Sequence, residues 1–215
     1  MKKKHWYDYL WLWPIVYFAL GLFNILFAWL GMIDFLLPLF IALVFGNKAF
    51  CNRYCGRGQL FSLLPRTLGC SRRTPAPRWV AAPLFRYGFM IFFLTMFGTI
   101  LNQTYLVFQG TASLREAVDL LWIFSMPWAH GQENAPSWIV QFSYGFYSLM
   151  LTSAVIGLIV MALYRPRTWC SFCPMGSMTQ LICKAKQRGK PTPPECMPTV
   201  QTVPHAPGGK ATNVK

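Results

Sequence analysis

Long apolar runs set the terms on which this chain can fold. Residues 9–32, 35–50, 85–108 and 138–164 are almost free of charge. A helix rising 1.5 Å per residue needs about 20 such residues to cross a hydrocarbon core of roughly 30 Å. Only 12% of the 215 residues are charged, against 54% hydrophobic, whereas a soluble domain carries about 25% charged residues. The expected fold class is therefore an all-α membrane protein with four transmembrane helices. Gly31-Met32-Ile33-Asp34 reads as a tight turn that pairs the first two runs as one helical hairpin, and the last two runs make the second. Pro38 falls near the start of the second run, where its missing amide proton costs least.

The basic residues orient these helices. Of the 20 Lys and Arg, 19 fall on one side if the N-terminus is cytoplasmic, and Arg115 alone falls on the other. That asymmetry puts both termini in the cytoplasm, in a multi-pass protein of the inner membrane. Asp34, Glu116, Asp119 and Glu133 then lie outside. Lys2-Lys3-Lys4 precede an apolar run longer than a signal-peptide core, with no small-x-small cleavage site after it, so the run reads as an uncleaved first helix. In the outer loop, Leu114, Val118, Leu121 and Trp122 recur at helical spacing, which predicts an interfacial helix over Ser113–Met126. The basic loop Arg66–Trp79 suits anionic headgroups of the lipid bilayer, or alternatively an acidic redox partner. Topology already accounts for the charge, so nucleic acid is not an expected partner.

All seven cysteines fall on the reducing side, where a disulfide framework is not expected. Metal ligation rises in its place. Cys51 and Cys55 lie in FCNRYCGRGQL after the second run, and Cys170 and Cys173 in WCSFCPMGSM after the fourth. The order aromatic, Cys, spacer, aromatic, Cys, Gly or Pro, any residue, Gly is kept, with one residue fewer between the second pair. The chain thus reads as two hairpin units, each followed by a cytoplasmic cysteine motif. Four thiolates suit a [4Fe–4S] cluster, and proline after a ligand turns the backbone away. Gly56, Gly58 and Gly176 admit close approach of backbone amides. Arg53 and Arg57 would stabilise the reduced state. Four cysteines also make a structural zinc site, and a single C-x-x-C is often a pair of ordinary thiols. Cys70, Cys183 and Cys196 read as free thiols outside the motifs.

These motifs resemble the membrane part of the NapH, NosR and CcoG type of iron–sulfur proteins, over about Trp11 to Leu181. The resemblance implies Cys51, Cys55, Cys170 and Cys173 as cluster ligands, with Pro174 and Gly176 matching the Cys-Pro-x-Gly ending. It implies electron transfer between quinol or another membrane donor and a soluble or membrane redox protein. Gly56 stands where the pattern has proline, and the two ferredoxin runs that many relatives carry at the C-terminal end do not occur here. The iron–sulfur domain is expected over 1–183, with 184–215, rich in Pro, Gly and Lys, as a disordered tail.

Competing functions sort by position. Accessory members of the same group suggest a maturation factor that binds or reduces metal during assembly of a redox enzyme. A quinone-coupled thiol oxidoreductase would carry its cysteines on the outer side, where this chain has none. Transmembrane haem needs axial ligands inside the helices, and His5, His130 and His205 lie outside the runs. A quinone pocket is not locatable from sequence. Asn102, Gln103, Gln141 and Tyr144 are polar groups near the outer ends, more simply explained by interhelical hydrogen bonds.

Overall fold

Three helices in the computed structural model are long and apolar enough to cross a membrane: Ile25–Phe45, Pro83–Phe108 and Ser137–Leu163, with 21, 26 and 27 residues. The structure describes residues 9–46, 50–67, 69, 74, 77–114, 117–120, 124–127, 135–166 and 168–186. The tail from 187, the Lys2–Lys4 start, the three histidines, Cys70, Cys196 and half of the Arg66–Trp79 loop lie outside these residues.

The chain opens with α1 (Leu12–Phe23), a 3₁₀ turn (Ile25–Trp29) and α2 (Leu30–Phe45). The expected first run, 9–32, is therefore not one helix. Its helical part has 12 residues, about 18 Å of rise, too short to cross alone. The break falls at Asn24, whose extended backbone ends α1 and whose side chain accepts the Leu26 amide at 2.9 Å. The expected turn at Gly31–Asp34 is corrected: those residues lie inside α2, so Asp34 sits within a span rather than in a loop. The fold-back is set instead by contacts either side of Asn24. The Tyr17 hydroxyl lies 3.5 Å from the Ala28 carbonyl, and Gly31 leaves room for the Tyr17 ring.

Pro38 is mid-helix, not at a helix start. Having no N–H, it cannot bond the Asp34 carbonyl, a loss that buried helices tolerate through neighbouring groups. The C-terminus of α2 is closed by Gly46 in the left-handed region at φ 64° and by Lys186, whose Nζ donates to the Leu43 and Val44 carbonyls at 2.9 and 2.7 Å. Both satisfy carbonyls that a helix end leaves unpaired.

After the first cysteine motif come α3 (Gly56–Thr67) and a 3₁₀ turn (Arg78–Ala81), then α4 (Pro83–Phe108) and α5 (Ser137–Leu163), which follow the expected third and fourth runs closely. Proline opens α4, and the extended Ala82 before it fixes the boundary. Between α4 and α5 the expected interfacial helix gives way to a hairpin, β1 (Ala117–Leu120) against β2 (Phe124–Pro127), antiparallel with Ala117 opposite Pro127. Val118 enters the core beside α5, and that tertiary contact outweighs a weak helical period.

α5 is the central helix: Ser143, Tyr144, Phe146 and Leu149 along it are fully enclosed. Around it Phe142 and Phe146 stack at 5.5 Å, and Phe35 of α2 stacks on Phe97 of α4 at the same separation. Near its Leu163 end a second cluster joins Phe61 of α3, Trp169, Phe172 and Met161. The outward faces are apolar, with Leu84 86% and Phe23 80% exposed. Such surfaces, with the three long helices, are compatible with a membrane protein.

Close packing at Gly21 gives a test. A Cβ there would fall 2.2 Å from the Tyr147 ring, while one at Gly98 meets nothing within 4 Å. Gly21→Leu should lower the melting temperature in detergent by an overpacking cost of about 1–3 kcal/mol, and Gly98→Leu should leave it unchanged.

Candidate metal centre

The two cysteine motifs take the same local form. In the first, Phe50–Tyr54 is a single π turn carrying Cys51, and α3 begins directly after Cys55. In the second, α6 (Trp169–Phe172) is a single α turn carrying Cys170, and α7 (Pro174–Lys186) begins directly after Cys173. The extra residue between the first pair is absorbed by widening an α turn to a π turn. Each second cysteine is the entry residue of its helix. Its carbonyl accepts the first intrahelical bond, from Gln59 at 3.1 Å and from Ser177 at 2.9 Å. The positive ends of α3 and α7 therefore meet at the thiols, where negative charge is favoured.

Contacts across the copies bring the thiols together. A Cβ built on Gly58 would lie 3.7 Å from the Cys170 sulfur and 3.9 Å from the Cys55 sulfur, so the glycine floors a cradle between the two motifs. The Gly58 amide bonds the Cys55 sulfur. Cys51 reaches Thr179 of α7 at 3.6 Å between Sγ and Oγ1. Burial pushes the Cys55 thiol far above its ordinary range, and Cys170, Cys51 and Cys173 push in the same direction, with the Gly58 amide opposing. Ionising these thiols together is unfavourable unless a cation shares the space.

The glycine at 56 has a packing cause. A Cβ there would fall 2.6 Å from the Leu10 carbonyl oxygen and 3.1 Å from Pro14, so the proline expected after Cys55 does not fit.

The centre is recessed rather than beyond the helix ends. Arg57, two residues after Cys55, donates to Ser153 Oγ at 2.8 Å, roughly 15 Å along α5 from Leu163. Phe172 packs on Phe85 and Phe89 of α4, both at 5.4 Å, in an aromatic cluster against which Cys173 packs.

Of the expected site residues, Cys51, Cys55, Cys170 and Cys173 are not disulfide-bonded and are partly buried. Cys183 departs from expectation. It is fully buried, its sulfur lies 3.0 Å from the Gly46 carbonyl oxygen, and it is disulfide-bonded, so it offers no free thiolate. Asn102 and Gln103 are exposed on α4 while Tyr144 is buried in α5, so these polar groups do not converge. Sequence reasoning missed Thr179 and the Arg57 partners on α5. Continued past its glycines in the register of Cys55 on Cys173, the repeat sets Thr179 opposite Phe61, so nothing in the repeat marks it.

The donor set fits an iron–sulfur group: four thiolates, helix N-termini, an amide on sulfur and a Cβ-free cradle. Among the described residues no group of three or more Cys, His, Asp or Glu is placed to hold a single metal ion. A family model described as a 4Fe-4S binding domain matches residues 27–68 and 148–191. Each stretch holds a helix, a cysteine motif and the short helix after it. The match supports an iron–sulfur binding protein. No curated protein and no solved structure matches the chain.

The two glycines should separate cluster loading from folding. Gly58→Val should cut iron bound per chain by at least about half while leaving unfolding of the metal-free protein little changed, because its side chain enters the cradle. Gly56→Ala should lower thermal stability itself, because the obstacle is backbone.

Proposed function

We propose that the protein is a membrane electron carrier of the inner membrane, with a [4Fe–4S] cluster bound on the cytoplasmic side by Cys51, Cys55, Cys170 and Cys173. The observation that carries this reading is the convergence of both repeated motifs, each at a helix N-terminus, across the Gly58 cradle. When bound there, such a cluster takes up and releases one electron at a time. The chain's own residues do the rest. The cysteines hold the iron, Gly58 and the entering turns of α3 and α7 offset negative charge, and Phe85, Phe89, Trp169 and Phe172 keep water from one side.

The positive-inside asymmetry supports the cytoplasmic placement of the motifs, and the Leu10 carbonyl beside Gly56 supports an N-terminus on that same side. The recess among the helices favours a donor in the membrane, with quinol as the class that the NapH-type resemblance implies. A soluble or membrane redox protein would complete the transfer, and the basic Arg66–Trp79 loop suits an acidic one. A maturation role for the same cysteines is the alternative, and it would show metal handed to a client protein rather than a retained cluster.

Protein purified without oxygen should be brown and carry about four irons and four acid-labile sulfides per chain, the content of one [4Fe–4S] group, with a reducible signal in electron paramagnetic resonance. Cys173→Ser should abolish that signal, and Cys196→Ser should keep it. Colourless protein with one zinc per chain overturns the reading.

A further inference from the structure

We propose that Arg57 is the positioning residue of this centre and that it acts in two separable ways: its guanidinium fork holds Cys55 in place, and its charge sets how readily the centre is reduced. The inference rests on the cluster reading above.

Arg57 lies on the first turn of α3, two residues after Cys55. Its side chain reaches into the bundle. Nη1 donates to Ser153 Oγ at 2.8 Å and Nη2 to Met150 Sδ at 2.9 Å, both on α5. The guanidinium carbon stands 5.8 Å over the Phe18 ring of α1. Ser153 and Met150 are themselves buried, and Ser153 Oγ donates to the Met150 carbonyl at 2.8 Å, which aims its lone pairs at the arginine. One side chain thus ties the turn after Cys55 to two other helices. Lysine carries the same charge but presents a single nitrogen and cannot span both acceptors as a fork does.

These three contacts are with a hydroxyl, a thioether and a ring, all neutral. A cation held among apolar helices is costly unless negative charge opposes it. Asp34 of α2 is the only Asp or Glu in the sequence of the three spans. The larger negative partner is the set of metal-bound thiolates beginning two residues away. Reduction adds one more electron to that set, so a fixed cation nearby favours the reduced state. Arg53 shares the sequence neighbourhood, but its side chain lies outside the described residues.

The test uses the full chain purified without oxygen, comparing wild type with Arg57→Lys, Arg57→Gln and Ser153→Ala. Midpoint potential is read by titration with resonance detection, and iron retention by release into a chelator. Arg57→Gln should lower the reduced-to-oxidised ratio at the wild-type midpoint at least about tenfold, equal to 59 mV for one electron. Arg57→Lys should stay within about threefold of wild type in that ratio yet release iron several-fold faster. Ser153→Ala should also release iron faster with its potential unchanged. An unaltered potential in Arg57→Gln, or a shift in Arg57→Lys as large as in Arg57→Gln, overturns the charge role. Iron release no faster in Arg57→Lys and Ser153→Ala overturns the positioning role. If Arg57→Gln loads no cluster, Ser153→Asp sets a carboxylate against the guanidinium while keeping the fork engaged, and an unlowered potential there overturns the charge role. Wild type lacking a cluster sinks the functional reading itself, whereas loaded wild type with variants indistinguishable from it sinks only this inference.

Discussion

Cysteine thiols brought this close would repel one another once ionised, and nearly everything notable about this chain answers that repulsion. The thiols come in pairs from stretches far apart in sequence. Each pair sits where a short helix begins, so unpaired amides and the positive helix end face the sulfur. A bare glycine replaces what would otherwise be a side chain between them. An arginine stands behind one pair. Burial, and after it the neighbouring Cys170 and Cys51, push the Cys55 thiol above its ordinary range, so a metal group bound there would enter the electrostatic balance of the site.

Membrane solvent imposes the second constraint. Backbone amides that face lipid must be bonded within the chain, which limits where irregular turns can sit. Here the π turn packs on α2, the α turn on α4 and α5, α3 on α1 and α5, and α7 on α2 and α4. Proline is placed to the same rule. At the start of α4 and α7 it removes amides that a helix leaves unpaired, and within α2 it sits on a buried position.

The cysteine motifs and the third and fourth runs were legible in the sequence because their signals are local: short spacings, aromatic flanks and apolar length. Residues 9–45 depart from the expected pattern for an equally physical reason. Apolar length cannot show a break at Asn24, since a single extended residue carries no change in hydropathy, whereas Gly31 beside Asp34 looks like a turn. Gly31 is small instead because Tyr17 and Phe146 press against it. The hairpin over 117–127 was hidden because its helical spacing was weaker than the pull of Val118 into the core. The depth of the site, fixed by Arg57 reaching Ser153, depends on a long-range contact that no short window contains.

The capping of α2 by Lys186 has a wider meaning. The second copy's short helix closes the end of the first copy's long one, Thr179 of the second copy touches Cys51 of the first, and Arg57 of the first copy grips the α5 helix that leads into the second. The halves are thus interlocked by exchange, each supplying a piece that the other lacks. A duplicated unit in this arrangement cannot shed one copy and keep a working remnant, so the pair behaves as a single heritable part.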